Sequence, residues 1–293
     1  MTQATTKAIL FVINPISGGK HKKDHQETIK KFFAPLPHKI ELFFLDDKNN
    51  AQGLQKHIDK LKPQIVVAVG GDGTVTMVAK IILGTEIILG IVPAGSANGM
   101  AKELNIVENT EEALKIIEAG RVRKADVIDI NNLICLHLSD IGLNARLVKY
   151  FEEGNMRGKL GYAKVALKVL FNTRNIKLII ENNQQEIKRE AFMVVLANAS
   201  KYGTGAVINP SGDLYDGLFE VVIIRKLSII TLFKMWFFPR NLDPNKIEVI
   251  QAQSVRISTQ RKVHFQVDGE YIGKVNRVFA KILPGKLNII VPE

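Results

Sequence analysis

Val69-Gly70-Gly71-Asp72-Gly73-Thr74 follows the apolar run Ile65–Val69 and precedes the helix-length stretch Val75–Leu83. A strand that ends in glycines and opens a helix lets the backbone approach a bulky anion. The helix then presents its first N–H groups and the positive end of its dipole. The stretch therefore reads as a phosphate-binding turn. It lacks the Gly-Lys-Ser/Thr of the Walker loop, and Asp72 stands where the dinucleotide fingerprint needs close backbone approach. An ordinary tight turn with Asp72 as helix N-cap is the plain alternative. A carboxylate beside a phosphate repels it unless a cation such as Mg²⁺ lies between them, so a phosphate reading of Asp72 brings a metal with it.

On either side of this turn, apolar β-branched runs alternate with amphipathic segments: Ala8–Ile13, Lys20–Phe33, Ile40–Leu45, Ala51–Leu61, Ile65–Val69, Val75–Leu83, Ile87–Val92, Ala97–Leu104 and Glu111–Ala119. Strand and helix periods in alternation predict βα units around a parallel sheet. Ile65-Val66-Val67-Ala68-Val69 is apolar on both faces, as a strand covered by helices on both sides must be. Asn109 with Glu112 marks a helix start, and Gly120 marks its end. Two more small-residue loops follow strands, Asn14-Pro15-Ile16-Ser17-Gly18-Gly19-Lys20 and Val92-Pro93-Ala94-Gly95-Ser96-Ala97-Asn98-Gly99. All three loops fall at strand carboxyl ends, where open α/β sheets bind ligands.

After Gly120 the rhythm turns to strands, among them Ala125–Ile130, Leu133–Leu138, Lys177–Glu181, Phe192–Ala197, Phe219–Arg225, Ser254–Ser258, Val263–Val267, Arg277–Leu283 and Leu287–Val291. This predicts an antiparallel second domain with a boundary near residues 120 to 130. Asn182-Asn183 reads as a hairpin turn, and Asn144–Phe151 and Leu160–Phe171 as helical inserts. No linker of low complexity separates the halves, so direct packing with a ligand cleft between them is expected.

The chain has 293 residues, 46% hydrophobic and 24% charged, which suits two folded domains and excludes a disordered or collagen-like chain. The formal charge of +11 favours phosphate, anionic lipid or nucleic acid, or serves solubility alone. Basic residues lack the aromatic interleaving of a nucleic-acid module, so no nucleic-acid partner is expected. Cys135 is the sole cysteine, which rules out an internal disulfide and a cysteine zinc cage. His21 and His25 are four apart without the Glu of a zincin helix. The N-terminus lacks a signal h-region, and the most apolar stretch, Leu227–Phe238, is broken by Lys234 and ended by Pro239, so a cytoplasmic protein is expected. That stretch is rimmed by Arg225, Lys226 and Arg240 and suits either a core helix or one lying in a membrane interface.

"NPISGG", "GGDGT" and "PAGSANGMAKEL", in this order and spacing, closely resemble the diacylglycerol kinase catalytic family, which includes bacterial lipid kinases and sphingosine kinases. "DLYDGLFEV" and "VDGE" extend the resemblance over nearly the whole chain. The resemblance implies an α/β fold: an N-terminal α/β nucleotide-binding domain of the NAD kinase/diacylglycerol kinase type over residues 1–125, and a C-terminal antiparallel β-sandwich domain over 126–293 whose last strand can return to the first. It implies a kinase that transfers the γ-phosphoryl group of ATP to a lipid hydroxyl with Mg²⁺. By position, Asn14, Ser17, Gly18, Gly70, Gly71, Asp72, Gly73, Thr74, Val75, Thr76, Gly95, Ser96 and Asn98 would bind ATP, with Asp72 near Mg²⁺ or the acceptor. Ser96 replaces the usual Thr, which brings the loop closer to the sphingosine kinase branch. Gly99 replaces the Asp of many bacterial members, so no role of that carboxylate transfers. A nucleotide-contacting Thr of some relatives falls near Leu45.

Asp213-Leu214-Tyr215-Asp216-Gly217-Leu218 reads by itself as a turn with solvated acids or as oxygen donors for a hard cation. The resemblance implies Mg²⁺ on Asp213, Asp216 and the Leu218 carbonyl. Gln266-Val267-Asp268-Gly269-Glu270 reads by itself as a hairpin turn. A kinase for an alcohol needs an acceptor for the hydroxyl proton, and the family pattern puts it at Glu270, with Asp268 second; Asp126 and Asp129 are weaker candidates. The expected partners are ATP, a lipid substrate and an anionic membrane surface contacted peripherally, with strand edges that could pair in a homo-oligomer. The rival readings are an NAD kinase, to which GGDG is also common, and a non-catalytic protein that binds nucleotide or anionic membranes.

Overall fold

The computed structural model describes residues 6–15, 22–46, 50–142, 145, 175–182, 185–200, 207–225, 243 and 245–293. Ser17, Gly18, His21, Leu160–Phe171, Leu227–Phe238 and all of Asn144–Phe151 but Ala145 lie outside these. The chain divides into two compact units, one of residues 1–125 with 285–293, the other of residues 126–284.

Unit one alternates β1 (Ala8–Ile13), α1 (Lys22–Phe33), β2 (Lys39–Phe44), α2 (Asn50–Leu61), β3 (Ile65–Gly70), α3 (Asp72–Ile82), β4 (Ile88–Pro93), α4 (Gly99–Glu103) and α5 (Thr110–Ala119). Its strands run parallel in the order β2-β1-β3-β4, and the end of the long β14 (Glu270–Ile290) lies beside β4, with Asn288 opposite Ile88. β3 is buried at every residue, as a strand apolar on both faces should be. Val75, Val78, Ala79 and Ile82 recur at helical spacing and form the buried stripe of α3. Asn109 accepts a hydrogen bond from Glu112 N at 3.1 Å, and Gly120 ends α5 at φ 69°, the start and stop read from the sequence.

α3 begins earlier than its apolar period suggests. Asp72, Gly73 and Thr74 already form its first turn, and the cap is Gly71 rather than Asp72. The amphipathic pattern cannot show this, because polar and glycine positions in a first turn carry no period.

Unit two contains most of β5 (Val122–Ile130), then β6 (Leu133–Cys135), β7 (Leu138–Gly142), β8 (Ile176–Asn182), β9 (Gln185–Ala191), β10 (Met193–Ala197), β11 (Phe219–Ile224), β12 (Ile247–Ala252), β13 (Ser254–Val267) and β14 up to Pro284. Its strands run in the order β12-β11-β10-β7-β13-β14, with β8 on β13 and β9 on β8. The pairs β10–β11, β10–β7, β11–β12, β13–β14, β13–β7 and β8–β9 are all antiparallel. Phe219, Phe265, Ile128, Ile223 and Ile257 are among the residues of a buried core formed by its described strands.

Leu133–Leu138, read as one strand, is two, because the amides of residues 136–138 leave the ladder for a side chain described below. Ser254–Ser258 and Val263–Val267 are one strand with an irregularity between them, which the polar insert Thr259–Lys262 hides from a hydrophobic reading. β9 has the sequence QEIKREA, whose charged residues mask its alternation.

At the β9–β12 side of this unit, Glu248 accepts hydrogen bonds from Arg189 Nε at 2.8 Å and Nη2 at 2.9 Å, and from Arg225. The Arg189 hydrogen bonds, more than Arg225, hold its carboxyl below the ordinary carboxylate range, against the opposing effect of burial. A carboxyl depressed on folding contributes stability above its unfolded pKa and loses it as pH falls through the folded value. Glu248→Gln is expected to lower stability by about 1.5 kcal/mol at neutral pH, the size of a charge-assisted hydrogen bond. The deficit should shrink as pH falls below the ordinary carboxylate range and be gone once pH passes the lower folded value. Thermal melts of both proteins across pH 3–8 check this; a deficit independent of pH would refute it.

Candidate functional site

The parallel sheet of unit one has its switch point between β1 and β3, since β2 lies on one side of β1 and β3 on the other. The loops that leave β1, β3 and β4 are joined there. Asn14 N donates to Val69 O at 3.0 Å and its Nδ2 to Thr74 Oγ1 at 3.2 Å. Thr74 in turn lies over Gly70, where a Cβ would meet Thr74 Oγ1 at 2.3 Å. Ala94 N donates to Gly70 O at 2.9 Å, and a Cβ on Gly95 would stand 2.4 Å from Gly71 Cα. The glycines thus serve the approach of two backbones to each other as well as any approach of a ligand.

Asp72 completes the junction. Its Oδ2 accepts from Gly99 N at 2.9 Å and its Oδ1 from Met100 N at 3.0 Å, so the carboxylate caps α4 across the loops. The plain alternative of a capping aspartate holds, but for a different helix than the one it opens. Asn98, at φ 51°, folds its own loop: Oδ1 accepts from Gly95 N at 2.8 Å, and Nδ2 donates to Gly95 O at 2.9 Å and Glu108 Oε1 at 3.1 Å.

Of the residues expected beside phosphate, Gly71, Asp72, Gly73, Gly95 and Ser96 are accessible. Gly70, Thr74, Val75, Thr76 and Asn98 are buried, because they form the end of β3, the inner face of α3 and the hinge of the β4 loop. Gly71 offers α3 no capping side chain, and Gly73 has open space where a Cβ would stand. The accessible start of α3 therefore presents backbone amides rather than side chains, which is how a helix terminus receives an anion. Leu45 is buried and its N donates to Ile13 O at 2.9 Å, a placement set by packing.

In unit two, Asp268 and Gly269, at φ 48° and 86°, make the two-residue turn from β13 to β14, with Val267 opposite Glu270. Asp268 Oδ2 accepts from Leu136 N at 2.8 Å, and Oδ1 from His137 N at 3.0 Å, Leu138 N at 3.2 Å and Cys135 Sγ at 3.4 Å. Three successive amides forming a nest around a carboxylate bind it firmly. Burial, then the Asp268 charge, pushes the Cys135 thiol well above its ordinary range. Glu270 lies just beyond this anchored turn and is exposed.

Three buried polar residues support the turn, of which Asp140 and Asn198 belong to no motif. Gln266 Oε1 accepts from Gly269 N at 2.7 Å while its Nε2 donates to Asp140, whose Oδ1 accepts from Ala145 N at 2.7 Å. Asn198 Nδ2 donates to Asp126 O and Leu136 O, both at 2.8 Å. The available sign was a polar residue inside an apolar run, as in LSDIG and VHFQV.

The acidic loop builds two turns: Tyr215 N donates to Asp213 Oδ1 at 3.0 Å and Leu218 N to Asp216 Oδ1 at 2.9 Å. Gly217 N donates to Asp126 Oδ2 at 2.6 Å, and Asp126 N to Leu214 O at 2.7 Å. Behind the loop, buried Glu220 accepts from Asn209 and from Gln251 Nε2 at 3.2 Å. Burial, joined by the charges of Asp216 and Asp213, raises its carboxyl. The two exposed aspartates thus set up a negative field with all-oxygen donors, the chemistry that suits Mg²⁺ or Ca²⁺. Among the described residues no group of three or more His, Cys, Asp or Glu is disposed to hold a metal. Asp129 Oδ1 accepts from Asn132 N at 2.9 Å and so closes the β5–β6 turn. His25 meets Thr110 Oγ1 at 2.9 Å.

Residues 8–130 match the diacylglycerol kinase catalytic domain, and residues 139–291 match the YegS C-terminal NAD kinase beta sandwich-like domain. A protein of Bacillus subtilis named diacylglycerol kinase is 22% identical over 295 residues, covering 98% of this chain and 97% of that protein. The uncharacterized protein sll0036 of Synechocystis is 26% identical over 309 residues, covering 98% of this chain and 71% of that protein. A crystal structure described as a diacylglycerol kinase from Bacillus anthracis superposes with a TM-score of 0.79 at 19% identity, covering 99% of this chain and 98% of that one. That likeness is one of fold: an α/β domain and an antiparallel β-sandwich-like domain, as the order of elements foretold.

Proposed function

Because this chain belongs to the diacylglycerol kinase catalytic family, we propose that it is a lipid kinase that moves the γ-phosphoryl group of ATP to a lipid hydroxyl with Mg²⁺. The observation that carries the reading is the junction at the switch point of unit one, where Asp72 and the closely approaching Gly71 and Gly95 join the β3 and β4 loops beside the accessible first turn of α3. The amides at the start of α3, with Gly95 and Ser96, would hold the phosphates. Asn14, Thr74, Val75, Thr76 and Asn98 would keep that backbone in shape, and Asp72 would do so while facing the nucleotide side. Ser17 and Gly18, by their position in the sequence, would extend the phosphate site from the β1 loop.

In unit two the reacting carboxylate would be Glu270. As the lipid oxygen bonds to the γ-phosphorus and the bond to the ADP oxygen breaks, the hydroxyl proton passes to the Glu270 carboxylate. Asp268 has both oxygens committed to the 136–138 amides, so it would hold the turn and leave proton transfer to its exposed neighbour. When bound, Mg²⁺ supplies charge neutralisation at the phosphates. A second hard cation on Asp213, Asp216 and the Leu218 carbonyl would offset the negative charge that these aspartates add to burial in raising Glu220. The charge of +11 suits a protein that visits anionic membranes from the cytoplasm, and no described helix is long and apolar enough to cross one.

Purified full-length protein given γ-labelled ATP and Mg²⁺ with diacylglycerol, a sphingoid base, a monoacylglycerol or NAD, each alone, tests this directly. Label is expected in a lipid. Label in NAD alone would make the protein an NAD kinase, and no labelled product would make it a silent binder; either result overturns the proposal.

A further inference from the structure

The segment Leu136–Leu138, between β6 and β7, is held from two sides. Its amides go to Asp268, while its carbonyls go largely to Asn198 and its neighbour. Asn198 N and Ala199 N both donate to His137 O, at 3.0 and 3.1 Å, and Asn198 Nδ2 donates to Leu136 O at 2.8 Å. The second Nδ2 hydrogen reaches Asp126 O at 2.8 Å, and Asp126 holds the acidic loop through Gly217 N and Leu214 O. One amide side chain thus lies between the loop at 213–218 and the nest that grips the Asp268–Gly269 turn.

We propose that Asn198 is a positioning residue, which fixes the 136–138 nest and through Asp268 the placement of Glu270. The proposal rests on the reading of Glu270 as the proton acceptor. Asn198 is 1% exposed, and among the described residues its Nδ2 makes both of its hydrogen bonds to carbonyls while its Oδ1 meets no donor. What the arrangement secures is the direction of the two Nδ2 hydrogens. Aspartate at this position has the same shape but sets an oxygen against two carbonyl oxygens and cannot make either bond.

Asn198→Asp is expected to lower kcat about 10- to 100-fold, the order lost when a reacting group is misplaced by about an ångström. KM for MgATP should stay within about twofold and the acid limb of the kcat profile should move, since the group that takes the proton sits in a new setting. A residue that merely supports the fold would reduce the folded fraction and leave both the profile and the kcat per folded molecule unchanged. Asn198→Ser, small enough to admit a water, serves where Asn198→Asp does not fold. Hydrogen exchange at the amides of Leu136–Leu138 should quicken in either variant. Folded variants with kcat within about threefold of the parent, an unmoved profile and unchanged exchange would overturn the inference. A parent protein without kinase activity toward any acceptor would overturn the functional reading instead, and the exchange measurement would still decide whether Asn198 holds the segment.

Discussion

Glu270→Gln is expected to abolish nearly all turnover, with kcat lower by about 10²–10⁴ and KM for MgATP little changed. That is the range of a single positioned acid or base. The side chain is exposed beyond a turn whose own bonds are made by Asp268, Gln266 and Gly269, so no hydrogen bond among the described residues is lost with the change. The melting temperature should therefore match the parent within about a degree, the usual size of a surface substitution. Asp268→Asn makes the contrast. There a carboxylate that accepts from three amides is replaced by a group with one acceptor oxygen, and stability should fall along with activity. Steady-state kinetics with calorimetry separates the two. If Glu270→Gln keeps more than about a tenth of the parent kcat, the proton goes elsewhere and the assignment fails.

Gly95→Ala is expected to disrupt the proposed nucleotide-binding loops from within. Its Cβ would stand 2.4 Å from Gly71 Cα and 2.9 Å from Asn98 Oδ1. Backbone of the β3 loop cannot yield as a side chain tip can, so the two loops must part. Overpacking of this kind costs about 1–3 kcal/mol, and more where the contact is backbone on both sides. Separated loops also lose the geometry that lets Asp72 reach Gly99 and Met100. Loss of ATP binding together with a lower melting temperature is the expected result. Gly73→Ala tells the steric effect from the ligand effect. It meets nothing within 4 Å and sits in the first turn of α3, where alanine favours the helix by up to about 1 kcal/mol. It should leave stability equal or higher while weakening ATP, because the methyl group intrudes on the accessible amides. Titration of MgATP by calorimetry reads both variants. Full affinity in Gly95→Ala would place the phosphates elsewhere.

The β-branched runs and helix-period stretches of the first 120 residues needed only the hydrophobic pattern to be read as a parallel α/β unit, and the three loops at strand ends were visible as glycine and small-residue clusters. The later strands were legible where they were apolar. They were not where charge fills the exposed face, as in β9, or where an irregularity breaks the alternation, as in β13. The motifs around Asp72 and Glu270 pointed to the places proposed for chemistry, because glycines and carboxylates cluster there at strand ends in the family's order.

What each of those carboxylates touches was decided only by the fold. Asp72 caps a helix 27 residues later, and Asp268 is gripped by amides more than 130 residues earlier. Local sequence encodes backbone preference and burial period, both set by neighbours within a turn or a strand. A hydrogen bond across such separations depends on which strands become neighbours, and that is fixed only when the strands of each unit assemble around its core. For the same reason Asn198 bears no motif: its importance lies in two carbonyls that topology brings to it from distant parts of the chain.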